Sequence, residues 1–127
     1  MIFRIICIFI SIFYINSAFA DKEKCSSFIN SIWEGEKVGK GYQGKITIKF
    51  KDKCSKAAFG KDIEIKYDWV GSTGKIVTPG VLRFKENGKI NYKNNAGSKG
   101  KVTLNDDRLN WKNIFTGNNY NVDVYKQ

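Results

Sequence analysis

The chain has 127 residues, contains no histidine, and carries 22 Lys and Arg against 12 Asp and Glu, which gives a formal net charge of +10 at pH 7. The length allows a single domain once a leader is removed. The absence of histidine excludes Ser-His-Asp and Cys-His nucleophilic sites and the commonest zinc ligand. The positive charge indicates attraction to anionic surfaces or polymers.

The first 20 residues have the pattern of an export signal. Arg4 gives a positive start, an apolar run follows over residues 5–15, and Ala18-Phe19-Ala20 supplies the small residues that precede a signal-peptidase cut. The run is shorter than the ~18–20 apolar residues of a membrane-spanning helix. We therefore expect residues 1–20 to be cleaved and residues 21–127 to form one exported domain, periplasmic or secreted, with no transmembrane anchor.

Two cysteines remain after the predicted cleavage, because Cys7 lies in the signal. An even pair of cysteines in an oxidising compartment indicates a disulfide, here between Cys25 and Cys54. The alternative is a pair of buried free thiols.

Residues 24–32 place Cys25, Phe28 and Ile32 at helical spacing, which predicts a short helix at the start of the domain. After it, apolar and polar residues alternate in the way that is typical of half-buried β-strands. The predicted strands cover residues 33–38, 43–50, 62–70, 75–78, 81–85, 89–93, 101–104, 108–115 and 120–125.

Short turn sequences join these strands. Pro79-Gly80 suits a type II turn, and Asn87-Gly88 between two alternating runs is a hairpin signal. Residues 94–100 form a predicted polar loop, and residues 105–107 a further hairpin turn. The pattern predicts an all-β antiparallel meander that closes into a barrel of about eight strands, because closure removes exposed strand edges. A two-sheet sandwich is the alternative.

A short leading helix, the sequence Ile32-Trp33-Glu34-Gly35 at the start of the first strand, and the run of hairpins together resemble the calycin-like barrels, the lipocalins and avidins. The resemblance covers the organisation of most of residues 21–127. It implies a barrel architecture and a ligand-carrying role. No site of that family transfers residue by residue.

Aromatic residues recur in the predicted strands, and Trp and Tyr line ligand pockets as readily as they fill cores. If the barrel has a cavity, we expect a small set of these residues and one isoleucine to line it. The candidate ligand-binding residues are Trp33, Ile65, Tyr67, Trp69, Tyr92, Trp111 and Tyr120. Packing in a filled core is the alternative.

Lysines repeat at alternate positions on the second predicted strand and its extension. Such a basic stripe could bind an anionic glycan, a lipid headgroup or an acidic protein, and an ordinary solvated strand face is the alternative. The candidate anion-binding residues are Lys45, Lys49, Lys51 and Lys53.

Three functions remain open at this point. The first is an exported, non-enzymatic binding protein, a calycin-like barrel that takes a small ligand or an anionic envelope component. The second is a secreted interaction module, an inhibitor or effector that contacts an acidic protein partner through residues 94–100. The third, ranked lowest, is a hydrolase with paired carboxylates such as Glu64 and Asp68.

The sequence indicates no catalytic residue, no metal-ligand set and no cofactor. It also indicates no nucleic-acid partner, because Arg83 and Arg108 are the only arginines after residue 20. Arginine is the usual side chain for bidentate recognition of phosphates and base edges.

Overall fold

The computed structural model describes residues 21–39, 42–58, 60, 62–72, 74–113 and 121–127. The predicted signal peptide, the last two residues of the strand predicted over residues 108–115, and Tyr120 lie outside these residues. A helix, α1, covers residues 21–26 and precedes the strands. The strands are β1 (Ile32–Gly39), β2 (Tyr42–Lys56), β3 (Ile63–Val70), β4 (Val77–Phe84), β5 (Ile90–Asn94), β6 (Lys99–Asn105), β7 (Arg108–Asn113) and β8 (Asn121–Lys126).

Each strand pairs antiparallel with the next, and β8 returns to pair with β1, so the sheet closes into a barrel. The closing register places Gly35 opposite Val124 and Trp33 opposite Lys126. The predicted all-β antiparallel barrel of about eight strands is therefore confirmed, and the alternative sandwich is not the architecture that forms. No helix in the part of the chain that the structure describes has the length and apolarity needed to cross a membrane.

The predicted turn at Pro79-Gly80 is wrong, because β4 runs straight through both residues. Asp68 lies opposite Pro79 and Tyr67 lies opposite Gly80 in the β3–β4 register. A Cβ built on Gly80 would lie 2.4 Å from the end of the Tyr67 ring. The glycine is therefore needed to let an aromatic ring cross the neighbouring strand, and the two short strands predicted on either side form one strand.

Two other elements differ from the sequence-based prediction. β2 extends beyond Phe50 to Lys56, after a register shift between Phe50 and Cys54 that breaks the alternating pattern. The predicted loop over residues 94–100 contracts to residues 95–98, because the Asn94 Oδ1 atom accepts hydrogen bonds from the backbone N–H groups of Ala96 (3.0 Å) and Ser98 (2.9 Å). The proposed contact loop is thus a tight hairpin turn.

The segment that follows α1 packs into the barrel through Phe28, which is 1% exposed. Its ring centroid lies 4.9 Å from that of Phe50, 5.6 Å from that of Phe84 and 5.7 Å from that of Trp33. The helix ends earlier than predicted, and Asn30 with a φ of 57° redirects the chain into β1.

The predicted disulfide between Cys25 and Cys54 is confirmed. It ties α1 to the part of β2 that follows the register shift. The two cysteines are 29 positions apart, and closing a loop of that length stabilises the folded state by about 3–4 kcal/mol in the chain-entropy estimate. Such a bond indicates an oxidising, exported environment.

Candidate functional site

Four of the predicted ligand-binding residues meet in the barrel interior around Trp111, which is fully buried. The centroid of its ring system lies 4.8 Å from that of Tyr92, 5.1 Å from that of Tyr67 and 5.5 Å from that of Trp69. Trp69 is partly buried at the margin of this group, whereas Tyr67 and Tyr92 are buried. These four side chains form one aromatic cluster.

Glycines on neighbouring strands make room for the aromatic cluster. Gly80 lies beneath Tyr67, and a Cβ built on Gly100 would lie 2.9 Å from the Tyr92 ring and 1.9 Å from the Lys112 carbonyl oxygen. Large and small side chains therefore alternate across β3–β6, which is how close-packed interiors are filled. The interior candidates thus pack against one another and against the backbone of the neighbouring strands.

The remaining candidates are two core residues that are not part of the aromatic cluster as defined, and one residue outside the described residues. Trp33 stacks on Phe28, and its Nε1 donates a 2.9 Å hydrogen bond to Ser31 Oγ. Ile65 is a buried core residue of β3. Tyr120 lies outside the described residues.

The predicted basic stripe on β2 lies on the outer surface next to carboxylates. Lys45 Nζ lies 3.2 Å from Glu34 Oε2, and Lys51 Nζ lies 2.7 Å from Asp68 Oδ2. Lys49 is directly opposite Asp68 in the β2–β3 register. Lys53, which is exposed, falls in the irregular segment before Cys54. Two of the four positive charges of this stripe are therefore offset across the strands.

A different surface concentrates positive charge, and the sequence reasoning missed it. The sequences of β4–β7 contain lysine and arginine but no Asp or Glu. Alternation turns their apolar residues into the barrel and their cations outward. We give the name basic face to five outward cations of these strands, leaving out Arg108 at the start of β7, together with the lysine that follows β4: Arg83, Lys85, Lys93, Lys99, Lys101 and Lys112.

Register places cations of the basic face directly opposite one another. Lys93 lies opposite Lys99 across β5–β6, and Lys101 lies opposite Lys112 across β6–β7. Like charges in directly opposed positions destabilise a sheet. Within the described residues, no carboxylate forms an ion pair with Lys93, Lys101 or Lys112.

Two grooves cross the basic face. The larger, of about 500 Å³, lies over β3–β6 and is lined by four cations and one carboxylate: Glu64, Arg83, Lys85, Lys93 and Lys99. The smaller, of about 310 Å³, is lined in part by Lys24, Lys89 and Lys101. Asn91 lines both grooves, so they adjoin along β5.

The carboxylates considered for hydrolysis are occupied in ion pairs. Glu64 Oε2 accepts a hydrogen bond from Arg83 Nη2 at 3.3 Å, and Asp68 is paired with Lys51. Among the described residues, no group of three or more potential metal ligands comes together. Comparison of the chain with known protein families, curated proteins and solved structures gives no significant match.

Proposed function

We propose that this protein is an exported, non-enzymatic binding protein that docks on anionic envelope material through the basic face. The observation that carries the proposal is the like-charge pairing across β6–β7, where Lys101 lies directly opposite Lys112 and neither forms an ion pair with a carboxylate among the described residues. This pairing disfavours the free protein, and an anion bound between the two ammonium groups would relieve it. A surface that holds like charges together therefore suits an anionic partner.

The packing of the interior supports a binding site on the outer surface. The small-ligand alternative needs space among side chains such as Tyr67, Tyr92 and Trp111, which are buried against one another. The basic face needs no rearrangement of the barrel to meet a partner. The disulfide between Cys25 and Cys54 supports a place of action outside the reducing cytoplasm.

The test compares two triple variants that remove the same charge from opposite surfaces. One variant neutralises the basic face by Lys93→Gln, Lys101→Gln and Lys112→Gln. The matched control neutralises the β2 stripe by Lys45→Gln, Lys49→Gln and Lys51→Gln. Binding to heparin and to phosphatidylglycerol vesicles is measured by titration at low and at physiological salt.

We expect the basic-face variant to bind roughly tenfold more weakly, because each exposed charge contact contributes about 0.2–1 kcal/mol. The β2 variant should bind with an affinity close to that of the wild type, although its net charge equals that of the basic-face variant. Equal losses in the two variants would show a non-specific effect of net charge and would overturn the proposal. Circular dichroism confirms that both variants keep the barrel.

A further inference from the structure

The larger groove on the basic face is bordered by long charged side chains, and shorter side chains form its base. Val81 and Asn91, both half-buried, lie between the side chains of Arg83, Lys85, Lys93 and Lys99. Val81 is directly opposite Lys93, and Asn91 is directly opposite Arg83. Short outward side chains flanked by long ones thus create the concavity.

Hydrogen-bonding amides alternate with the cations of this groove. Asn91, Asn94 and Asn95 line it together with the basic residues. The Asn94 side chain is held in place by its two hydrogen bonds to the backbone of the β5–β6 turn. Amides bind hydroxyl groups, and ammonium groups bind carboxylates or sulfates. The lining therefore matches a ligand that carries both hydroxyl and acidic groups.

The groove also has the reach of a chain rather than of a single ion. Neighbouring strands are ~4.8 Å apart, so the distance from β3 to β6 is roughly 14 Å. The second groove continues past Asn91 towards Lys89 and Lys101. A linear polymer could follow both grooves along this surface.

Two other classes of anionic partner fit this surface poorly. Among the described residues, the exposed large hydrophobic side chains are Ile32, Ile76, Val77 and Tyr125, and none of them lines either groove. A bilayer would therefore meet no apolar anchor on the basic face. Single-stranded nucleic acid uses exposed aromatic rings for stacking, whereas Tyr92, the aromatic residue of the larger groove, is buried.

From this combination we infer that the ligand of the basic face is an acidic polysaccharide lying in the grooves over β3–β6, and that Glu64 limits its affinity by pairing with Arg83. The inference rests on the function proposed above. Among the described residues, Glu64 is the only acidic residue lining the larger groove, and its ion pair with Arg83 neutralises one of the four cations there. An acidic sugar must compete with Glu64 for that guanidinium.

A single substitution separates this inference from a general effect of charge. Glu64→Gln releases Arg83 inside the groove, and Glu34→Gln releases Lys45 on the β1–β2 surface, with the same change in net charge. Binding of both variants to heparin and to polygalacturonate is measured, with neutral dextran, phosphatidylglycerol vesicles and single-stranded DNA as comparison ligands. We expect Glu64→Gln to bind the acidic polysaccharides roughly two- to fivefold more tightly, since the competing pair is exposed and weak. Glu34→Gln should bind like the wild type.

The outcomes distinguish the inference from the function on which it rests. Equal tightening by Glu64→Gln and Glu34→Gln would overturn the placement in the groove. Binding to the vesicles or the DNA but to neither acidic polysaccharide would overturn the ligand class, while the basic face could still bind anionic material. Failure to bind any of these anions would overturn both proposals.

Discussion

The outer surfaces of β1–β3 and of β4–β7 are built from the same alternating pattern, yet they present opposite electrostatic environments. On β1–β3, a lysine of one strand meets a carboxylate of the next, as in the pairs Lys45 with Glu34 and Lys51 with Asp68. On β4–β7, Lys101 meets Lys112 across the strands. The difference arises because β1 and β3 supply carboxylates opposite the lysines of β2, whereas β4–β7 contain no Asp or Glu.

This comparison shows why the charge of one strand is a poor guide to a binding surface. The β2 stripe has the denser run of lysines in the sequence, but carboxylates of the neighbouring strands pair with two of them. Each strand of the basic face contributes one or two cations, and the cations of neighbouring strands add to the same positive surface. A field that attracts an anionic polymer depends on the sum over the surface.

Removal of the disulfide should have the largest effect, and it falls on the β1–β3 side of the molecule. Cys25→Ala with Cys54→Ala should lower the free energy of unfolding by about 3–4 kcal/mol, because the unfolded chain gains the entropy that the crosslink removes. Urea denaturation followed by tryptophan fluorescence measures the change. The wild type in reductant is the companion measurement, and unchanged stability in both would contradict a structural role for the bond.

The same variant sharpens the comparison between the two surfaces. None of the residues lining the larger groove lies on α1 or β2, whereas Lys24 of α1 lines the smaller groove. Affinity for an acidic polysaccharide should therefore largely persist in the fraction that stays folded. Loss of binding at temperatures where the barrel remains intact would show that the two regions are coupled.

The next largest effect on the free energy of unfolding is expected in the strands that carry the basic face. Gly100→Ala would place a Cβ 1.9 Å from the carbonyl oxygen of Lys112, so β6 and β7 must move apart. We expect a loss of about 1–3 kcal/mol in the free energy of unfolding, as for other overpacked positions. Thermal denaturation measures it. Gly88→Ala is a useful reference: no heavy atom approaches its added Cβ, and its φ of 83° tests backbone strain alone.

Much of the fold could be predicted from the sequence, because alternation reports which side of a strand is buried. The disulfide followed from the number of cysteines after residue 20, and the closed meander from the short turns. Gly80 was misread because a Pro-Gly pair has the same local signature in a turn and in a strand. Only the partner strand, with Tyr67 opposite the glycine, decides between them.

The candidate site was harder to predict for the same physical reason. Lys93, Lys101 and Lys112 are each a single outward residue in a short strand, and nothing local distinguishes them from a solvated surface. Their significance lies in pairings across strands, which depend on hairpin registers. The β5–β6 hairpin carried a usable signal, since a tight turn after Asn94 brings Lys93 opposite Lys99.

The smallest expected effects have opposite signs on the two surfaces, and this makes them the sharpest test of the comparison. Lys101→Gln removes a repulsion with Lys112 and should raise the free energy of unfolding by about 0.2–1 kcal/mol. Lys51→Gln removes an attraction to Asp68 and should lower it by up to about 1 kcal/mol. Both changes should shrink in concentrated salt, because exposed charges are screened within a few ångströms there. If Lys101→Gln instead destabilised the barrel, as Lys51→Gln is expected to do, Lys101 would contribute to the stability of the fold. The proposal that the basic face keeps unfavourable lysine pairings in order to bind a partner would then fail.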